Sequence, residues 1–175
     1  MSAAAVATRP VVKADGTVIG WGRDTDGQSA RPASPRGNIG TPIVVDLPGK
    51  ALQVALGELT SHALLEDGTV VAWGPNGSGQ LGNGPMGASG ELGRYPKPVP
   101  VKGMANVSSV CLGGMRCSAV RADGSVWLWG VASGGGQWML GENLHVPTLL
   151  PLPLPQRGGL HQQPAQGWLP AYRST

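Results

Sequence analysis

The chain has 175 residues, a length that accommodates one domain with a hydrophobic core. Only 13% of the residues are charged and the net charge is +3, without any run of lysine or arginine, so the composition argues against a nucleic-acid-binding surface. Met1 to Thr8 lacks the apolar stretch of a secretory signal and no segment is apolar enough to span a membrane, so we expect a cytoplasmic protein without membrane contact.

A period runs along the chain. An Asp-Gly pair followed six residues later by Trp-Gly and then by Gly-Gln occurs three times, and these Asp-Gly pairs are separated by 52 and 56 residues. Self-similarity at such a period is the mark of a repeat architecture. The repeat signature consists of Asp15, Gly16, Trp21, Gly22, Gly27 and Gln28, then Asp67, Gly68, Trp73, Gly74, Gly79 and Gln80, and finally Asp123, Gly124, Trp129, Gly130, Gly136 and Gln137.

Each Asp-Gly pair lies between two short apolar stretches, which predicts a β-hairpin. The first stretch holds pairs such as Val11-Val12 and the second ends at the tryptophan, as in Thr17–Trp21. Asp tolerates a positive φ and Gly adopts one freely, so the pair predicts a type I′ turn. The other hairpins are predicted over 63–73 and 119–129.

Two further short strands are predicted upstream of the second and third hairpins. Pro42–Val45 matches Pro98–Val101, and Leu52–Gly57 matches the segment that ends at Gly113. Four short strands in about 50 residues are typical of a β-propeller blade. The sequence therefore predicts an all-β chain: a partial β-propeller of about three four-stranded antiparallel blades, the first incomplete, with each repeated tryptophan in the layer between blades.

The repeats are predicted to fill residues 1–150, at about 10–41, 42–97 and 98–146. Pro147–Leu150 matches the start of another repeat, which then stops, since no Asp-Gly or Trp-Gly pair follows. Proline removes donors from a sheet ladder, so we expect 147–175 to be an aborted repeat start and an extended or disordered tail.

The repeat resembles that of the regulator of chromosome condensation family. Its pattern of Gly, Ser, Ala-Leu, Asp-Gly, Val, Trp-Gly, Asn and Gly-Gln-Leu-Gly is met between Gly57 and Gly82, and in part between Gly113 and Gln137. The resemblance implies a propeller, typically closed with seven blades, which at this repeat length needs on the order of 350 residues. The family also places a histidine shortly after the Gly-x-x; Thr60 and Arg116 stand there, so His62 inherits no family role.

Other signals in the sequence carry less weight. Gly77, Gly79 and Gly82 spell GxGxxG, but a dinucleotide site needs a helix to follow, and Asn83-Gly84-Pro85 does not start one. Cys111 and Cys117 lack zinc-site spacing, and are two small buried residues or a disulfide across a hairpin. The repeated aspartates are explained by their turns, so we expect no catalytic residue, no metal site and no cofactor.

These observations favour a non-enzymatic scaffold that binds a protein partner through the loops Gln28–Thr41 and Leu81–Lys97. The resemblance also implies an alternative, guanine-nucleotide exchange on a small GTPase. A further alternative is a piece of a longer propeller without independent function. Blades that lack a neighbour expose apolar faces, so we expect either self-association that completes a ring or stack, or poor solubility.

Overall fold

A computed structural model describes residues 10–25, 27–30, 37–84, 93–130 and 144–149. These residues form three antiparallel sheets, which confirms the predicted all-β class. No helix among them is long and apolar enough to cross a membrane. Sheet 1 contains β1 (Val11–Val12), β2 (Val18–Arg23) and β3 (Asn38–Val45); sheet 2 contains β4 (Ala51–Leu56), β5 (Ser61–Leu65), β6 (Val70–Pro75) and β7 (Arg94–Pro100); sheet 3 contains β8 (Val107–Gly113), β9 (Arg116–Arg121), β10 (Val126–Gly130) and β11 (Leu144–Leu149).

The strands of each sheet follow one another in chain order. Sheets 2 and 3 have four strands each, whereas the described part of sheet 1 has three, because no strand there corresponds to β4 or β8. The first strands β4 and β8 contact each other across the two sheets. The structure therefore has the expected blades, with the first one incomplete.

The sheets are offset by one strand from the sequence repeats. Pro42–Val45, the beginning of the second repeat, lies in β3 and pairs with β2 of sheet 1. In the same way β7 pairs with β6, and β11 pairs with β10. The strand at 144–149 thus completes sheet 3 instead of starting a fourth sheet, and the predicted tail lies outside the described residues.

The Asp-Gly turns differ from the prediction in their backbone. Only the glycine has a positive φ, +82° at Gly16, +78° at Gly68 and +83° at Gly124, so the predicted type I′ turn is wrong. Each hairpin instead has a three-residue loop whose glycine N–H donates to the carbonyl three residues earlier. Each aspartate accepts the backbone N–H two residues ahead, for example that of Thr17 at 2.9 Å from Asp15 Oδ1.

Two hydrophobic clusters hold the sheets together. Between sheets 1 and 2, the buried members are Val18, Val45, Ala51, Ala63, Leu65, Val71 and Trp73. Between sheets 2 and 3, they include Leu64, Val70, Ala72, Leu81, Val110, Cys117, Ala119 and Trp129. The central strands of the middle sheet are consequently buried on both faces, and every residue of β5 is buried. Apolar area removed from water at these two interfaces is the main stabilising contribution to the stack.

Candidate functional site

The repeat signature lies at both ends of the strands. Each Asp-Gly turn closes a hairpin at one end of its sheet, a surface we call the turn rim. The Trp-Gly and Gly-Gln pairs lie at the opposite end, which we call the tryptophan rim. Gly136 and Gln137 lie outside the described residues.

At the tryptophan rim, each buried indole is bonded to the preceding repeat. Trp73 Nε1 donates to the carbonyl of Gln28 at 2.7 Å, and Trp129 Nε1 donates to the carbonyl of Gln80 at 3.1 Å. Both rings are buried, with 0% and 2% of their surface exposed, whereas Trp21 is half-buried. The spacing of Trp and Gly-Gln in the sequence thus places a donor and an acceptor on facing sheets.

At the turn rim, a second repeated hydrogen bond joins the sheets. The backbone N–H of Ala51 donates to the carbonyl of Gly16, and that of Val107 donates to the carbonyl of Gly68, both at 2.9 Å. Each interface is therefore bonded at both rims, with apolar side chains between them. A framework bonded in this way holds the ends of its connecting loops in fixed positions.

Two loops begin and end at the tryptophan rim within the described ranges, and their bases are closed by hydrogen bonds. The N–H of Asp24 donates to the carbonyl of Gly37 at 2.6 Å, and the N–H of Asn76 donates to the carbonyl of Gly93 at 2.7 Å. Inside each base, the Asp24 carboxylate accepts the N–H of Ser29 at 2.9 Å and the Asn76 amide oxygen accepts that of Leu81 at 3.0 Å. Residues 31–36 and 85–92, at the centres of the predicted binding loops, lie outside the described residues.

The glycine-rich stretch that resembles a dinucleotide fingerprint belongs to the second of these loops. A Cβ on Gly82 would lie 2.8 Å from the Trp129 ring, and the Gly82 carbonyl accepts the N–H of Lys102 at 2.9 Å. This glycine is accordingly explained by its close contact with the next sheet.

His62 is a buried polar residue to which the sequence pattern assigned no role. It lies in β5 and faces sheet 3, where its ring centroid is 5.7 Å from that of Trp129. Neither ring nitrogen has a hydrogen-bond partner among the described residues. Desolvation lowers the pKa of His62 to about 3, against a smaller opposing effect of the Gln80 backbone. A neutral imidazole is therefore packed between two sheets, out of reach of any substrate.

The two cysteines are separate thiols. Cys117 is paired with Leu112 and Cys111 with Ser118, so the two side chains lie on opposite faces of sheet 3. Cys117 is buried, its thiol donates to the Gln80 carbonyl at 3.2 Å, and burial raises its pKa. Cys111 is exposed, so the expectation of two buried residues is wrong for it, because its face lacks a covering sheet in the described structure.

The described residues contain no group of three or more His, Cys, Asp or Glu side chains placed to hold a metal ion. The three turn aspartates are exposed, and hydrogen bonds from the residues that follow lower the pKa of their carboxyl groups. What the described part of the chain presents is a rigid stack with anchored loops.

Stacked antiparallel sheets of this kind, each closed onto the next by a repeated indole bond, are blades of a β-propeller. A sequence model described as "Regulator of chromosome condensation (RCC1) repeat" matches residues 67–120. The chain thus contains a repeat of this family, as the resemblance of its motifs indicated.

Curated proteins with similar sequences point to the same family. The chain is 31% identical over 132 residues to the regulator of chromosome condensation of Drosophila melanogaster, a match that covers 75% of this chain and 23% of the relative. It is 32% identical over 134 residues to the Mus musculus protein of the same name, with 77% and 30% covered. A probable E3 ubiquitin-protein ligase of Homo sapiens, HERC6, is 30% identical over 141 residues, with 78% and 13% covered. The chain thus spans less than a third of the length of these relatives.

Solved structures show the same fold. Human WBSCR16 superposes with a TM-score of 0.68 at 20% identity, covering 83% of this chain and 36% of that one. Yeast RCC1 (Prp20) bound to Kap60 gives a TM-score of 0.65 at 23% identity, covering 80% and 34%. The structure of Prp20p from Saccharomyces cerevisiae, reported with its binding to Gsp1p and histones, gives 0.64 at 22% identity, covering 80% and 35%.

Proposed function

We propose that this chain is a non-enzymatic scaffold that binds a protein partner through the two loops of its tryptophan rim. The observation that carries the proposal is the closed base of each loop, where Asp24 bonds Gly37 and Asn76 bonds Gly93 in the same way. Recognition residues are commonly found on loops that a rigid β framework holds in place.

The buried groups support a binding role over a catalytic one. His62, whose pKa is lowered by burial, is enclosed between sheets 2 and 3. The aspartates of the signature are used in turns, where each accepts hydrogen bonds from the residues that follow. The names of the relatives include both a regulator and a ubiquitin ligase, so the repeat itself is shared by proteins with different activities.

The partners of structurally similar proteins suggest which proteins to test for binding. Yeast RCC1 is found with Kap60, and Prp20p is described by its binding to Gsp1p and histones. We therefore propose to immobilise the full chain and measure its binding to these three proteins by biolayer interferometry. The scaffold proposal expects measurable affinity for at least one of them.

Loop replacement tests where the partner binds. Residues 31–36 and 85–92 are replaced by Gly/Ser segments of equal length, separately and together, in the full chain. We expect the affinity to fall at least about tenfold, or roughly 1.4 kcal/mol, while the melting temperature stays close to that of the parent. As a matched control, Lys13→Ser and Lys102→Ser change exposed residues outside these loops and leave binding unchanged. Equal affinity of the loop variants and the parent would contradict the proposal.

A nucleotide-release assay separates the scaffold from the exchange-factor alternative. Candidate small GTPases are loaded with labelled GDP, and release is followed with and without the chain. A scaffold leaves the rate unchanged, whereas accelerated release that the loop replacements abolish would favour exchange activity.

A further inference from the structure

The two internal interfaces are built from the same pair of faces. In each of them, the later sheet contributes the face that carries its repeated tryptophan, which we call the leading face. The earlier sheet contributes its opposite face, which we call the trailing face. Trp73 and Ala63 lie on the leading face of sheet 2, and Leu64 and Val70 lie on its trailing face.

The leading face of sheet 1 has no sheet against it among the described residues. Val11, Ile19 and Trp21 occupy the positions that Ala63, Val71 and Trp73 have in sheet 2, and Val44 pairs with Ile19 on the same face. Val11 is 46% exposed and Val44 is 67% exposed, whereas Ala63 is completely buried. Ile19 and Trp21 are only half-buried. Four apolar side chains thus form an open surface.

The trailing face of sheet 3 also has no sheet against it within the part of the chain that the structure describes. Val120 is 37% exposed, while its counterpart Leu64 in sheet 2 is 2% exposed. Val126 and Leu128 are half-buried, and Cys111 on the same face is exposed.

The turn glycines also distinguish sheet 3 from sheets 1 and 2, and this observation does not depend on the apolar side chains. A Cβ on Gly16 would lie 2.6 Å from Lys50 Cβ, and one on Gly68 would lie 3.3 Å from the Asn106 backbone. The equivalent Gly124 has nothing within 4 Å. The carbonyls of Gly16 and Gly68 accept hydrogen bonds from the next sheet, so the turn rim of sheet 3 presents the same acceptor position without a described donor.

We propose that the leading face of sheet 1 docks on the trailing face of sheet 3 of a second copy of this chain, head to tail. A second copy is the occupant that the structure favours, because the side chains of the two open faces stand at the same repeat positions as those that pack together at the two internal interfaces. The contact would cover Val11, Trp21 and Val44 with Val120 and Leu128.

This contact joins two different surfaces, so its geometry allows a closed ring or an open chain of molecules. Two copies bring six sheets, which is within the range of about four to eight blades seen in β-propellers. A closed dimer is therefore the expected species. It would have two identical contacts between the copies, which we call seams.

Complementation between two variants tests the proposal. Val11→Asp damages the leading face and Val120→Asp damages the trailing face, both at exposed positions. Light scattering coupled to gel filtration of the full chain at tens of micromolar is expected to show a dimer for the parent and monomers for each variant. Mixing the two variants restores one undamaged seam and hence a dimer that cannot grow further. A monomeric parent, or a mixture that stays monomeric while the parent is a dimer, would overturn the proposal.

A matched control and a native reporter complete the test. Leu52→Asp introduces the same charge at a position that is 60% exposed but lies on the middle sheet, so the dimer is expected to persist. Cys111 lies on the trailing face, so its labelling by a thiol reagent should slow as the protein concentration rises, and Val11→Asp should remove that dependence. Labelling of Cys111 at a rate independent of concentration in the parent would count against the contact. Circular dichroism of each variant establishes that it is folded.

Discussion

Single polar atoms join one repeat to the next. The indole N–H groups of Trp73 and Trp129 donate to backbone carbonyls of Gln28 and Gln80, 45 and 49 residues away in the chain. Trp21 occupies the equivalent position in sheet 1, and no such acceptor is seen for it among the described residues. The repeated tryptophan therefore contributes differently to the stability of each sheet, depending on whether a preceding repeat supplies a carbonyl acceptor.

Replacing Trp73 by phenylalanine tests this role. The change leaves the Gln28 carbonyl without its donor and opens a space in a completely buried position, so we expect a loss of about 2–4 kcal/mol in the free energy of unfolding. Trp21→Phe at the half-buried position should cost about 1 kcal/mol or less. Urea unfolding followed by circular dichroism gives both values, and equal losses would contradict the argument.

Two glycines separate backbone strain from packing. Gly16 and Gly124 have nearly the same φ, +82° and +83°, but only the Cβ of an alanine at 16 would meet another residue, Lys50. Gly124→Ala should cost about 1–2 kcal/mol for the positive φ alone. Gly16→Ala should cost at least about 1 kcal/mol more, because the contact displaces the first strand of sheet 2. Thermal unfolding of the two variants side by side would measure the difference.

Strand β5 shows how an element serves two interfaces. Ala63 packs towards sheet 1, while Leu64 and His62 face sheet 3. In the neighbouring strand β4, the Gln53 amide bonds both the carbonyl of Val110 at 2.8 Å and its N–H at 3.1 Å. Polar side chains on these strands thus lie in the interfaces between sheets.

The buried imidazole makes stability depend on pH. The pKa of His62 is about 3 in the folded chain against 6.5 in the unfolded chain, so only the unfolded chain gains a proton as the pH falls below 6.5. The stability that neutral His62 provides is complete above pH 6.5 and is lost progressively down to about pH 3. Between pH 7.5 and pH 5 we expect a decrease of about 2 kcal/mol.

The variant His62→Phe keeps a ring against Trp129 and removes this titration. Its unfolding free energy should change less than that of the parent between pH 7.5 and pH 5, by about the same 2 kcal/mol. Above pH 5 the turn aspartates stay charged, since hydrogen bonds lower the pKa of their carboxyl groups, so they contribute little to the comparison. Parallel pH profiles for the parent and the variant would argue against a neutral buried histidine.

The hairpins and the repeat family could be predicted from the sequence, because both depend on local patterns such as Asp-Gly followed by Trp-Gly. The turn type could not, since Asp15 gains a hydrogen bond from Thr17 without a positive φ. The place of His62 and the exposure of Cys111 were also missed. Both depend on which face of a strand meets another sheet, which contacts between residues distant in sequence decide.

At the scale of the whole molecule, stability is a sum over neighbouring sheets. Sheet 2 has a sheet on either side, and its strands β5 and β6 are almost entirely buried. Sheets 1 and 3 are each covered on one face by the described residues, and exposed residues occur in β1, β8 and β9. In a stack of repeats, each interface contributes separately and the middle unit gains from two.

Hydrogen exchange measures this gradient directly. Amides of β5 and β6 should exchange most slowly, and those of β2, β9 and β10 should exchange faster, because an end sheet can open without disrupting both interfaces. Mass spectrometry of the full chain at low concentration, where self-association is weakest, gives the comparison. Uniform protection across the three sheets would show that they open together.

The offset between repeat and sheet also bears on how such a chain can lengthen. The unit that recurs in the sequence begins with a strand that belongs to the sheet before it, as Pro42–Val45 does in β3. Duplicating that unit inside a gene would therefore finish the older sheet and start the newer one in a single event. Each added copy arrives already tied to its predecessor by a shared strand, and no separate joining segment has to evolve.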